Sequence, residues 1–220
     1  MPALPSRDAL IRCAPFVVFM LLLAARGAVP ADGAWGFDPQ WIYAVSVVAC
    51  GALLAWFWRE YGELARQTLP DARETLLAVA AGLTVFGLWI GLDAPWMTIG
   101  TPSAPFEARE PVHLLIRFIG AALLVPLIEE LFWRSFLMRW LEQPVFQGVA
   151  PQRVGARAIA LSTFVFTLAH TLWLAAAIAG LVYALLYVKT GKLWLPVIAH
   201  AVTNGALGVW VIATGNWQFW

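Results

Sequence analysis

The sequence predicts an all-α, polytopic membrane protein with about seven transmembrane helices, its N-terminus in the cytoplasm and its C-terminus outside. Three observations predict this. Of 220 residues, 61% are hydrophobic and 12% charged, with a mean hydropathy of +0.76, whereas a soluble domain has roughly 45–50% apolar residues. Seven apolar runs approach the roughly 20 residues that cross a bilayer core. Lysine and arginine alternate between rich and poor loops, as the excess of basic residues on cytoplasmic flanks requires.

The runs follow in order. Run 12–25 comes after Arg7 and Arg12. Run 41–58 is bounded by Trp41, Trp56 and Trp58, amphipathic rings that prefer the headgroup level, and precedes Arg59, Arg66 and Arg73. Run 75–92 carries Trp89. Run 113–133 is followed by Arg134, Arg139, Arg153 and Arg157. Runs 156–169 and 172–188 come next, then Lys189 and Lys192, then run 193–213. Between them lie segments rich in Pro, Gly and charge, such as "GAVPADGAWGFDP" and "GTPSAPFEAREP". Eleven of the Lys and Arg residues fall in the loops assigned to the cytoplasm; Arg26 and Arg109 fall in the alternate loops, and Arg117 lies inside a span. Arg7, Arg12, the apolar stretch 14–25 and the small residues of "RGAVPA" also fit a cleavable signal, whose removal would leave six spans. The whole chain, 1–220, reads as one integral membrane domain.

A net charge of +1 makes no case for nucleic acid. Cys13 and Cys50 sit within apolar runs, so neither a disulfide framework nor a cysteine zinc site is expected. The pair Gly87 and Gly91 in "GLWIG" is a possible close-packing face.

A charged group at the centre of a span costs about 2.5–3.5 kcal/mol on insertion scales, so it faces a partner or a wet cavity. Three clusters call for such an explanation: Glu129, Glu130 and Arg134; His170 with Phe166; and His200 with Asn204. Glu130 and Arg134 are four apart and share a helix face, while Glu129 points about 100° away. Arg134 therefore neutralises Glu130 and leaves Glu129 free as a general base, lining a water-filled cavity that faces the cytoplasm. Pro126 cannot donate to the carbonyl of Ala122, so a kink or a bound water is expected beside the glutamates. His200 and Asn204 share a face, as do Phe166 and His170. An intramembrane histidine alone is often a packing group; two beside a spare carboxylate point to a site. They can coordinate a divalent metal such as zinc, or hold a water and a carbonyl oxygen without one, and the spacing leaves both open. His113, beside Glu107, Arg109 and Glu110, reads as interfacial. No H-E-x-x-H, G-x-S-x-G or Walker A pattern is present.

The ordered set E-E-x-x-x-R, F-x-x-x-H and H-x-x-x-N, here Glu129, Glu130 and Arg134, then Phe166 and His170, then His200 and Asn204, resembles that of the CAAX prenyl protease and bacteriocin-processing (CPBP, or Abi) intramembrane proteases. The stretches "FWREYGEL", "EELFWRSFLMRWL", "GLVYALLYVKTGKLW", "IAHAVTNGALGVWV" and "NWQFW" are similar to the CAAX-protease-related proteins that accompany bacterial exosortase/PEP-CTERM sorting systems. The resemblance implies that residues 113–213 carry the core helices of an intramembrane endopeptidase in a bacterial inner membrane, acting near the C-terminal anchor of a membrane protein. It implies a catalytic set of Glu129, Glu130, His170, His200 and Asn204, with Glu129 as the base, His170 its partner, and His200 and Asn204 holding the oxyanion, and Arg134 and Phe166 in support; it leaves the metal open. With Arg157 at the cytoplasmic face, His170 lies 13 residues on, about 20 Å by helix rise, so the fifth helix must start below the surface or tilt strongly. The rivals are a scaffold or immunity-type protein of the same fold, and a proton-coupled transporter, which predicts an internal repeat that the sequence lacks.

Overall fold

The computed structural model describes residues 6–30, 36–100 and 110–219. Arg109, counted above in an extracytoplasmic loop, and Glu107, placed beside His113, lie outside the described residues. The protein is a helical bundle: α1 Arg7–Ala28, α2 Gln40–Phe57, α3 Ala72–Gly91, α4 Pro111–Glu142, α5 Ala156–Leu168, α6 Trp173–Thr190 and α7 Trp194–Thr214. Local chemistry sets the ends. Ser6 Oγ accepts from Ala9 N–H to cap α1; Asp71 and Glu74 cap α3 reciprocally; Gly191 and Gly215 end α6 and α7 at φ 73°, in the left-handed region that favours glycine.

Six of these helices are long and apolar enough to cross a membrane. The expected span at 156–169 is different: α5 has 13 residues, about 20 Å against a hydrocarbon core of about 30 Å. Its turn is met by the loop after α3, where Ile99 N–H donates to Thr171 O (2.8 Å) and Trp173 Nε1 to Trp96 O (3.0 Å). Its other end abuts the foot of α4, where Glu142 Oε2 accepts from Gly155 N–H at 2.9 Å. Although short, α5 therefore carries the chain from the Lys/Arg-rich end of the bundle to the opposite end, and the alternation of the loops is kept.

The fourth span is longer than run 113–133: α4 reaches Glu142 over 32 residues. Within it, Gly120–Leu124 and Leu131–Met138 are wound as π-helix. The Val125 N–H reaches back five residues to Gly120 O. The next donor in that register would be residue 126, a proline without an N–H, so the carbonyl left over is that of Ala121. The irregularity expected at Pro126 is present, shifted by one residue from Ala122.

Around α4 the core divides in two. Phe19, Tyr43, Cys50, Ile128, Leu131, Tyr187 and Leu193 pack on one side; Phe16, Val85, Trp133, Phe166, Tyr183, Leu195 and Ala199 pack on the other. Outward faces are apolar and exposed, Trp56 at 82%, as a surface bathed in lipid requires. The pair α3 and α7 is joined at Gly82, where a Cβ would collide with the Ala199 carbonyl, and Thr203 Oγ1 donates to Gly82 O at 2.9 Å. Gly87 and Gly91, the pair picked out in the sequence, have open space where a Cβ would stand.

α1 is built into the bundle. Arg12 grips Glu63 with two bonds of 2.7 Å. Ser135 Oγ donates to the same carboxylate, and Arg139 Nη2 donates to Ser135 Oγ at 2.9 Å. Phe16 stacks on Phe132 with centroids 4.3 Å apart. Loss of residues 7–28 as a signal would strip this network of its central cation. His113, in the first turn of α4, is buried against protein, edge-on to Trp41 (4.7 Å) and 4.0 Å from Asp38.

Candidate active site

The two adjacent glutamates on α4 have separate surroundings. Glu130 is fully buried at 0% exposure; Arg134, at 1%, lies beside it with Nη1 3.2 Å from Oε1 and Nε 3.2 Å from Oε2. Arg134 also donates to Gly180 O at 3.0 Å and lies over the rings of Phe166 (4.8 Å) and Tyr183 (5.5 Å). The helical spacing had paired these two. The structure adds a third member, His200, whose Nδ1 lies 2.9 Å from Glu130 Oε1. An Nδ1–H donating to the carboxylate fixes the ring and aims Nε2 away from Glu130. The Tyr183 ring stacks on the imidazole at 5.1 Å, and its hydroxyl donates to Thr203 Oγ1 at 2.8 Å.

Glu129 has no such partner. Its Oε2 is buried and bonded to no described residue, and the side chain lines a cavity of about 200 Å³ together with Phe166, His170, His200 and Asn204. Glu130 and Arg134 do not line that cavity; they stand behind His200, Phe166 and Tyr183, which do. His170 Nδ1 lies 2.8 Å from Phe166 O, one turn back, so Nδ1–H is held and Nε2 is the free acceptor. Phe166 (4.4 Å) and Trp89 (5.7 Å) frame the ring. α5 ends at Leu168, two residues before His170; the last turn bends rather than continuing outward, and His170 shares the cavity with Glu129 and His200. Asn204 Nδ2 donates to Ala121 O at 2.9 Å, the carbonyl that Pro126 leaves without a donor. The π-wound stretch thereby fixes the carboxamide one turn above His200.

The remaining lining residues correct the expected direction of the cavity. Ala121 and Val125 precede Glu129 on α4, Leu207 and Phe219 follow Asn204, and Trp89 is in the last turns of α3. All lie toward the end where α3 and α7 finish and α4 begins. That end carries few basic residues, so the cavity extends away from the Lys/Arg-rich end of the bundle, the end that the sequence reading assigns to the cytoplasm. Among the described residues no group of three or more His, Cys, Asp and Glu is placed to hold a metal. Both Nδ1 atoms are engaged, which leaves the Nε2 atom of each histidine as its remaining binding atom.

Tyr183, Thr203, Ala121 and Phe219 were not picked out as site residues in the sequence, and Trp89 was read there only as a span-end tryptophan. Tyr183 and Thr203 are polar groups in apolar runs, a signal that could have found them; Phe219 carried none.

Residues 111–206 match the model of the family described as "Type II CAAX prenyl endopeptidase Rce1-like". No curated protein and no solved structure matches the chain. The matched residues hold all three motifs, from Glu129 to Asn204, and over them the chain, a multi-pass helical membrane protein, is similar to the CAAX-protease family.

Proposed function

We propose that the protein is an intramembrane endopeptidase that hydrolyses a peptide bond with water activated by Glu129. The observation that carries this reading is Glu129 itself: a carboxylate with a buried, unpartnered oxygen, facing a cavity it shares with two histidines and an asparagine, while its neighbour Glu130 is engaged by Arg134 and His200. Glu129 takes a proton from a water whose oxygen bonds to the scissile carbonyl carbon. His170 Nε2 accepts the second hydrogen of that water and orients it. The carbonyl oxygen becomes an oxyanion beside His200 Nε2–H and the second Asn204 N–H. When the C–N bond breaks, the proton held by Glu129 passes to the departing amine, which restores the carboxylate.

His200 can donate from Nε2 only while Nδ1–H remains on Glu130, that is, as an imidazolium. Its charge then balances the site: Glu129 and Glu130 negative, Arg134 and His200 positive. Every proton in this sequence is carried by a residue of the chain, and no step passes through a metal. The substrate is read as the region near the C-terminal anchor of another membrane protein, the location as a bacterial inner membrane, and an exosortase/PEP-CTERM sorting system as the candidate partner.

The test compares wild type with Glu129→Gln, each co-reconstituted with a PEP-CTERM-type membrane peptide, with and without a chelator. Wild type should release the C-terminal fragment in both conditions. The variant should be slower by roughly 10²–10⁴-fold, the usual contribution of a positioned general base. Equal release from both proteins, or none from either, would favour a scaffold of the same fold.

A further inference from the structure

The cavity ends at Phe219, a residue outside the seven helices. Gly215 turns the chain at the end of α7 with φ 73°, and the short turn Trp217–Phe219 lies back on α7, with Phe219 edge-on to Trp210 at 5.3 Å. The turn's backbone bonds are local: Trp217 N–H to Gly215 O (2.9 Å) and Phe219 N–H to Asn216 O (3.2 Å). The side-chain bond of Asn216 Nδ2 to Thr214 Oγ1 (2.9 Å) is local and exposed as well. Such a segment, outside the helices and hinged at a glycine, can swing without unwinding α7. Phe219 is half-buried where it stands.

Between Phe219 and the polar cluster the wall is apolar: Trp89, Ala121, Val125 and Leu207. An apolar passage leading to a few convergent polar groups suits an extended peptide whose side chains are apolar and whose scissile amide meets the polar end. At the opposite side of the cluster stand Glu130, Arg134 and Leu195, all buried at 1% or less, which leaves no passage toward the cytoplasmic end.

We propose that the cavity is entered from the extracytoplasmic end and that Phe219 gates this entrance, admitting an apolar polypeptide segment delivered from that side. The nature of the occupant rests on the endopeptidase reading; the route does not.

The route is measured without proteolysis. In a Cys13→Ala, Cys50→Ala background, Leu207→Cys places one thiol in the passage. Right-side-out and inside-out membrane vesicles are treated with a cationic, membrane-impermeant methanethiosulfonate, and total thiol after denaturation sets the scale. The thiol should react in right-side-out vesicles and be protected in inside-out ones. Phe219→Ala should accelerate labelling roughly three- to tenfold, the range expected for losing an aromatic pair, and Phe219→Trp should slow it. Val125→Cys serves as the reporter if Leu207→Cys does not accumulate. Reaction only in inside-out vesicles, no reaction from either side even with Phe219→Ala, or rates indifferent to residue 219 would each overturn the proposal. Outward labelling with no cleavage of any peptide would retain the gate and remove the endopeptidase reading; cleavage with inward labelling would do the reverse.

Discussion

Replacing Glu130 with glutamine would leave the Arg134 guanidinium buried without its counter-ion and remove the charge that holds His200 Nδ1. Breaking a buried ion pair from one side typically costs about 3–5 kcal/mol, because the surviving charge is uncompensated. Glu130→Gln should therefore lower the thermal unfolding midpoint in detergent sharply. Glu129→Gln, whose carboxylate pairs with nothing described, should unfold within about 0.5 kcal/mol of wild type while losing proteolysis. Equal destabilisation by the two substitutions would mean that the neighbours do not divide fold from chemistry. Half of this division is legible in the sequence, since four-residue spacing puts Glu130 and Arg134 on one face and turns Glu129 away. The bond from Glu130 to His200 is not, because its partners are 70 positions apart and meet only when α7 packs on α4. Asn204 is similar: its share of a face with His200 can be read from spacing, but its bond to Ala121 O cannot.

Among the helices, α4 is regular only in part, and its irregular turns are what position the site. Pro126 withholds the N–H that Ala121 O would accept in the five-residue register, and Asn204 takes that carbonyl instead. Asn204→Ala should therefore destabilise by about 1–3 kcal/mol, the cost of an unpaired buried carbonyl. Pro126→Ala restores a backbone donor, so Asn204→Ala should cost less in that background. A double-mutant cycle by thermal unfolding reads the difference, and additive effects would break the link between proline and asparagine. The packing of α3 on α7 offers a second check. A side chain at Gly82 meets the Ala199 carbonyl and Val202, and the Thr203 bond crosses the same contact. Gly82→Val should destabilise by about 1–3 kcal/mol through overpacking, whereas Gly87→Val, with open space at its Cβ, should be tolerated. A wide turn before a proline was foreseeable in kind; the carbonyl it frees depends on helical register, which hydropathy does not encode. The same limit explains α5, whose apolar run looks like a span although its last turn is bent to bring His170 to Glu129.

For the whole molecule, the all-helical, multi-pass architecture was legible because lipid imposes it on composition, with six of the about seven expected spans long enough to cross. The direction of the cavity was not, since it depends on which helix ends converge around Glu129. One knot ties the crossings together on the Lys/Arg-rich side: Glu63, in the loop after α2, binds Arg12 of α1 and Ser135 of α4, with Arg139 3.9 Å away. Burial alone would raise the Glu63 carboxyl. The hydrogen bonds and charge of Arg12, with the Ser135 bond, outweigh burial and hold it below the ordinary carboxylate value. A carboxyl whose folded value is depressed adds stability above its unfolded value, near about 4.3 for glutamate, and loses that contribution as pH falls through the folded value. Acidification below about pH 4 should therefore loosen α1 from the bundle. In Glu63→Gln, stability at neutral pH should already be lower and the acid-induced fall shallower. Thermal unfolding of both proteins in detergent across pH 3–7 measures this. Parallel acid limbs would mean that other carboxylates govern acid unfolding and that the ion pair between Glu63 and Arg12 does not hold α1 in place.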